Sequence, residues 1–175
     1  MTKNHQRPSV EDQIDRSFEH FLGDNKDLII NFFVAFSRFE YALKRAGYIE
    51  NNNNASADWD KFATNIQKKT QLSELKNERP EVNYLLENPP KKQICNDNKL
   101  GWVDAKRDCN KSEIHWMLDL VKVVRNNLFH GGKFPDGPVK DPARDTKLLE
   151  GSLAVLHECL RLDKKVGSCF WEVLE

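Results

Sequence analysis

The chain has 175 residues, and its 27 lysines plus arginines are balanced by 27 aspartates plus glutamates. That length suits one domain with its own core, and the zero net charge excludes the general attraction to nucleic acid of a strongly basic protein, so any RNA contact must be local. The four cysteines, Cys95, Cys109, Cys159 and Cys169, lack the short paired spacing of zinc or redox motifs, which predicts neither a metal site nor a disulfide framework.

From the N-terminus, Met1 to Pro8 carries no apolar core behind its charges, and no later stretch approaches a membrane span. The expected location is the cytoplasm, with no membrane association. Ser9 with Asp12 forms a weak capping-box variant, and Ile14, Phe18, Phe21 and Leu22 predict a helix over 9–22, stopped at Gly23. The most apolar segment, 24–46, follows: Ile29, Phe32, Phe33, Phe36 and Leu43 are read as one core-facing stripe, with Gly47 in the terminating position.

The asparagine run 51–54 reads as a surface loop, and Trp59, Phe62 and Ile66 predict a modest amphipathic helix over 57–69. The stretch 76–111 is polar and punctuated by Pro80, Pro89-Pro90 and Gly101, with a short apolar patch from Val82 to Leu86, and reads as an insertion. Its Lys91, Lys92, Lys99, Lys106, Arg107 and Lys111, with Trp102 among them, form either an RNA-contacting surface or a solvated loop with ordinary lysines.

Ile114, Met117, Val121, Val124 and Leu128 recur at helical steps after a candidate N-cap, Ser112, and Gly131-Gly132 can stop that helix just past His130. Pro135, Gly137, Pro138 and Pro142 make a rigid connection, and Leu148, Leu149, Leu153, Leu156 and Leu160 predict a last bundle helix. The tail 167–175, with Phe170, Trp171, Val173 and Leu174, is expected to dock on the body or on another subunit. No segment alternates with period two, so the expected fold is all-α, a bundle of four to six helices in a single domain.

The run Arg125-Asn126-Asn127-Leu128-Phe129-His130, closed by Gly131-Gly132-Lys133, carries the most chemistry. An arginine grips phosphate oxygens with a rigid fork, and a histidine titrates near neutrality. On a helix Asn126 and His130, four apart, share one face. Glu40 falls inside the apolar stripe and needs either a partner such as Arg125 or a solvent-facing edge with Arg38, Lys44 or Arg45 nearby.

An all-α body with a late helix ending in Arg125-x4-His130, a polar Asn126 directly after the arginine and a glycine stop resembles the HEPN superfamily, and Phe36 to Lys44 is similar to the early core helix of several prokaryotic members. The resemblance implies a HEPN-like bundle and metal-independent RNA cleavage without a cofactor, in which a ribose 2'-hydroxyl attacks the adjacent phosphate. His130 would then be general acid or base, Arg125 would stabilise the phosphorane-like charge, and Asn126 would orient His130 or the phosphate. Lys133 and Glu40 are further candidates for holding substrate. One histidine per chain cannot readily serve as both acid and base, and the resemblance implies a homodimer with two motifs facing across one cleft.

Its toxin and defence-like members imply RNA and an antitoxin protein as partners. Some members carry a modifiable tyrosine two residues after the histidine; here that position is Gly132. Two other readings stay open at this point. A silent HEPN module would bind RNA, nucleotide or a protein without cutting, and a purely structural motif would pair Arg125 with a core carboxylate and leave His130 capping a helix.

Overall fold

The computed structural model describes residues 9–11, 13, 25–51, 54–129 and 141–172. The helix expected over 9–22 lies almost wholly outside the described residues, as do His130, Lys133 and the connection from Pro135 to Pro138. Among the described residues there are seven helices and one hairpin: α1 (Lys26–Arg45), α2 (Trp59–Ile66), α3 (Leu72–Glu78), α4 (Pro80–Glu87), β1 (Lys91–Asn96), β2 (Lys99–Asp104), α5 (Glu113–Phe129), α6 (Pro142–Leu162) and α7 (Lys164–Trp171). The body is helical, and the helices exceed the four to six expected.

The centre of α1 buries Phe32, Phe36, Phe39, Ala42 and Leu43. Phe33 is not part of that stripe; it points outward and is 47 % exposed, while Phe39 holds the inward place. The reason is helical rotation: 32, 36, 39 and 43 follow four, three and four residue steps on one face, and Phe33 stands about 100° away from Phe32. The inward rings stack on α2, with Phe36 and Phe39 each 5.5 Å from the Trp59 ring. Trp59, Phe62 and Ile66 are all buried, so α2 is a core helix and stronger than its short pattern suggests. Asp58 caps it by accepting from the Lys61 amide at 2.8 Å.

The whole predicted stripe of α5, Ile114, Met117, Val121, Val124 and Leu128, is buried. Ser112 caps the helix, accepting from the His115 amide while its carbonyl takes the Trp116 amide. On the other side α6 begins at Pro142, earlier than the leucine pattern indicates, because Asp141 accepts from the Arg144 amide at 3.0 Å and proline suits the first turn. Residues 167–171 of the tail belong to α7, which buries Phe170 against the body, and Arg38 donates to the Phe170 carbonyl; Val173 and Leu174 lie outside the described residues.

One buried carboxylate ties three of these pieces together. Asp163, 4 % exposed, caps α7 by accepting from the Lys165 and Val166 amides at 3.1 Å. Its other oxygen accepts from the Tyr48 hydroxyl and the Asn65 amide, each at 2.7 Å, and pairs with Lys69 at 3.3 Å. Burial pushes the Asp163 carboxyl up, but the Tyr48, Val166 and Lys69 contacts outweigh it and hold the group below its ordinary range. Burial and the same carboxylate push the Tyr48 phenol well above its usual value.

The segment 76–111 departs from expectation twice. Its first half is not an insertion: Val82 and Leu85 of α4 are fully buried, and α4 packs along α6. Its second half is a small antiparallel hairpin added to the mostly helical body, with Lys92 opposite Val103 and Gln93 opposite Trp102. The turn explains it, since Asp97 and Asn98 both adopt left-handed backbone, at φ 49° and 60°. Two such residues form the tight turn whose twist matches paired strands, and Asp and Asn tolerate that region better than other side chains.

Candidate functional site

The buried stripe fixes the rotation of α5, so Arg125, Asn126 and Phe129 fall on its outer flank at the C-terminal end. Arg125 is half-buried between two aromatic rings, its guanidinium carbon 5.4 Å from the centre of Phe36 and 5.4 Å from that of Phe129. Ring faces attract a cation without neutralising it. Among the described residues no carboxylate pairs with this guanidinium; its Nη1 donates to Asn126 Oδ1 at 3.0 Å. The other N–H donors of the fork remain available for an anion, and the exposed Asn126 keeps its amide N–H pair for a ligand.

Glu40 is not brought to Arg125. Its Oε1 accepts from Trp59 Nε1 at 3.2 Å, which satisfies the carboxylate from α2. Of the two readings left open for Glu40, the Arg125 pair is not formed: Phe36 and Trp59 make a stacked layer, with Arg125 over the first ring and Glu40 bonded to the second. Arg38, the nearest alternative in sequence, donates to the Phe170 and Glu172 carbonyls instead. His130 and Lys133 lie outside the described residues.

The hairpin approaches the same end of α5. Asn127 Nδ2 donates to the Lys91 carbonyl at 2.7 Å, and beside that bond lies a concavity of about 250 Å³ lined by Lys92, Gln93, Val123, Asn126 and Asn127. Gln93 and Asn127 carry no functional signal in the sequence, and Lys92 stands there only as one of six basic residues that could contact RNA. Their position is set by the spacing of Val123, Asn126 and Asn127, which share one helical face, and by the Asp97-Asn98 turn that brings the hairpin over it.

The basic stretch divides on pairing. Lys91 meets Asp104 at 3.9 Å, Arg107 meets Glu113 at 3.3 Å and Lys111 meets Asp60 at 2.7 Å. The Lys111 bond holds the Asp60 carboxyl below its ordinary range. Lys92 and Lys99 are exposed, and no carboxylate pairs with them among the described residues.

Elsewhere the buried polar groups serve the fold. Glu158, 3 % exposed, accepts from Arg79 Nε at 2.7 Å and from Arg161 Nε at 2.6 Å. Among the described residues no group of His, Cys, Asp and Glu side chains is placed to hold a metal ion, and no helix is long and apolar enough to cross a membrane. The chain matches no protein-family model, no curated protein and no solved structure.

Proposed function

We propose that this protein is a metal-independent endoribonuclease of HEPN type, acting as a toxin or defence effector in the cytoplasm. The observation that carries the reading is the state of Arg125: a guanidinium held by Phe36 and Phe129, bonded to Asn126 and paired with no described carboxylate, in the helical run that leads directly to His130. Structural arginines are ordinarily matched by an acid; one clamped by rings with open donors suits a phosphate.

In the proposed reaction the ribose 2'-oxygen forms a bond to the adjacent phosphorus as a base removes its proton, and the bond from phosphorus to the 5'-oxygen breaks as an acid protonates that oxygen. The products are a cyclic phosphate end and a 5'-hydroxyl end. Arg125 neutralises the charge that builds on the phosphorane, Asn126 donates to a non-bridging oxygen or to His130, and Lys133 adds a phosphate contact. His130 supplies one proton transfer, and His130 of a second copy supplies the other.

The dimer in this reading is supported by the surface beside Arg125. Phe129 is 43 % exposed and lies 5.1 Å from the outward ring of Phe33. Ile30 and Val34 continue that exposed apolar face along α1, and apolar patches of this kind mark interaction surfaces. RNA is the substrate and an antitoxin protein the expected regulator.

The test is RNA cleavage by purified protein in the presence of a chelator, compared with Arg125→Ala and His130→Ala. Loss of cleavage in both, with the fold retained, is expected. Undiminished cleavage in both variants overturns the reading.

A further inference from the structure

The concavity between the hairpin and α5 has a lining unlike an ordinary surface dimple. It is walled by one cation, Lys92, by three carboxamides, Gln93, Asn126 and Asn127, and by the apolar flank of Val123, with no carboxylate among them. A carboxamide donates and accepts at once, the pattern that pairs with the edge of a nucleobase, while an unpaired lysine suits the phosphate beside it. Its volume of about 250 Å³ lies just below the roughly 300–1,000 Å³ of sites for drug-sized ligands, which gives room for one nucleotide and no more.

Two of the walls are held in place by the fold itself. Asn127 is bonded to the hairpin backbone at Lys91, which fixes the hairpin's distance from α5. Asn126 is bonded to Arg125, so the concavity and the guanidinium share a wall. Trp102 stands opposite Gln93 in the register and therefore on the same face of the hairpin.

We infer that this concavity is a nucleotide-binding subsite for single-stranded RNA, seating the nucleotide next to the phosphate held at Arg125, with Gln93 and Asn126 on its base edge and Lys92 on its backbone. The inference rests on the ribonuclease reading for what Arg125 holds, but the binding it describes is independent of cleavage. The hairpin is thus a guide that sets which stretch of RNA reaches the site. Lys99, at the far end of the same hairpin and likewise unpaired among the described residues, extends the positive edge along the strand.

The experiment compares the full chain with its Lys92→Ala/Gln93→Ala double variant in chelator, with melting curves to verify that both stay folded. Lys92 is exposed and Gln93 half-buried on the hairpin, so the fold is expected to hold. For a labelled single-stranded RNA of about twelve nucleotides, KM is expected to rise about tenfold with kcat within twofold, in line with the loss of one good base contact. For a dinucleotide, which supplies a base to the seat but no phosphate beyond the scissile one, the rise in KM is expected to be smaller, with kcat still within twofold.

Binding of the same RNA, read by fluorescence anisotropy across salt concentrations, is expected to weaken and to lose about 0.7 from its logarithmic salt slope, the share of one phosphate contact on a single strand. Unchanged KM and unchanged anisotropy in the double variant overturn the subsite while leaving the ribonuclease reading intact. If the parent does not cleave, the ribonuclease reading fails, and the anisotropy comparison alone decides the subsite. An equal loss of kcat on the dinucleotide also overturns it, because the variant would then be disturbing Arg125 and not a neighbouring seat.

Discussion

Arg125 donates from Nη1 to the Oδ1 of Asn126 at 3.0 Å, so two consecutive residues that ordinarily diverge around a helix act as one unit. The bond turns the amide so that its N–H pair faces away from the guanidinium, and Phe36 and Phe129 hold the guanidinium in turn. A positioned cation beside a positioned donor is what a phosphate in transition needs.

Replacing Arg125 therefore separates activity from stability. Each exposed cation–π contact contributes about 0.5–1 kcal/mol, so Arg125→Ala is expected to lower stability by only about 1–2 kcal/mol, a shift of a few degrees in Tm. Cleavage should fall on the order of 100-fold or more, as when one charge-stabilising donor is removed from an active site. Arg125→Lys should not restore it, since an ammonium lacks the planar fork. Full activity in the lysine variant would show that only charge matters there.

The two buried acids set how the protein responds to low pH. Asp163 and Glu158 are raised by burial but lowered further by their partners, Tyr48, Val166 and Lys69 for the first, Arg161 and Arg79 for the second. Each net folded value lies below its unfolded value of about 4. A depressed carboxyl stabilises the fold above its unfolded pKa and loses that contribution as pH falls toward the folded pKa. Tm should be level from about pH 6 to 8 and drop below about pH 5. Asp163→Asn should start lower and show a shallower acid slope; an unchanged slope would mean that another group governs acid unfolding.

Removing Asp163 altogether is harsher, because Tyr48, Asn65 and Lys69 lose their common acceptor and α7 loses its cap. Breaking a buried pair in this way costs about 3–5 kcal/mol. Asp163→Ala is expected to lie at that size in urea denaturation. Since the site at Arg125 shares none of these contacts, whatever fraction remains folded should cleave at the normal rate.

Gly151 gives a prediction opposite in sign to helix propensity. Glycine inside a helix ordinarily costs about 1 kcal/mol relative to alanine, so Gly151→Ala in α6 should stabilise on propensity alone. A Cβ there would stand 2.8 Å from the Glu81 carbonyl oxygen and 3.1 Å from the Leu85 Cβ, where α4 crosses closely. Backbone cannot yield as a flexible side chain does, so the variant is expected to melt lower than the parent. A higher Tm would mean that α4 can move away at little cost.

Local periodicity and capping carry most of the helical body. The stripe from Ile114 to Leu128 and the Ser112 cap appear in the structure as their spacing requires, because a helix buries its apolar face by a rule that needs only its own sequence. The inward place of Phe39 instead of Phe33, and the partner of Glu40, are set together. Phe33 and Glu40 both sit near apolar neighbours in the chain, and only the packing of α2, with Trp59 under Phe36 and bonded to Glu40, decides which face is inward. The hairpin has no clear sequence signal, because its strands are half polar and pair across a turn of Asp97 and Asn98, less usual than a glycine turn. The concavity against α5 was illegible for the same reason: Gln93 and Asn126 meet only once the hairpin exists. At the motif itself the sequence names the residue types, while the aromatic clamp on Arg125 comes in part from Phe36, far away in sequence.

The outward pair Phe33 and Phe129 tests the second copy that the proposed reaction needs. Their rings lie 5.1 Å apart across α1 and α5, both are exposed by nearly half, and Phe129 also carries Arg125 on its face. A partner covering these rings would bring its own motif alongside. Phe33→Glu removes little from the core, so the melting temperature should hold within a few degrees. In the dimer it would bury a carboxylate against apolar surface, which is expensive without a partner, and association should weaken on the order of 100-fold. Light scattering at micromolar concentration is expected to give a dimeric mass for the parent and a monomeric one for the variant, with cleavage lost alongside and recovered as protein concentration rises. A dimer that survives Phe33→Glu with full activity would place the interface on another face, and a parent that is monomeric while cleaving would remove the second histidine from the mechanism.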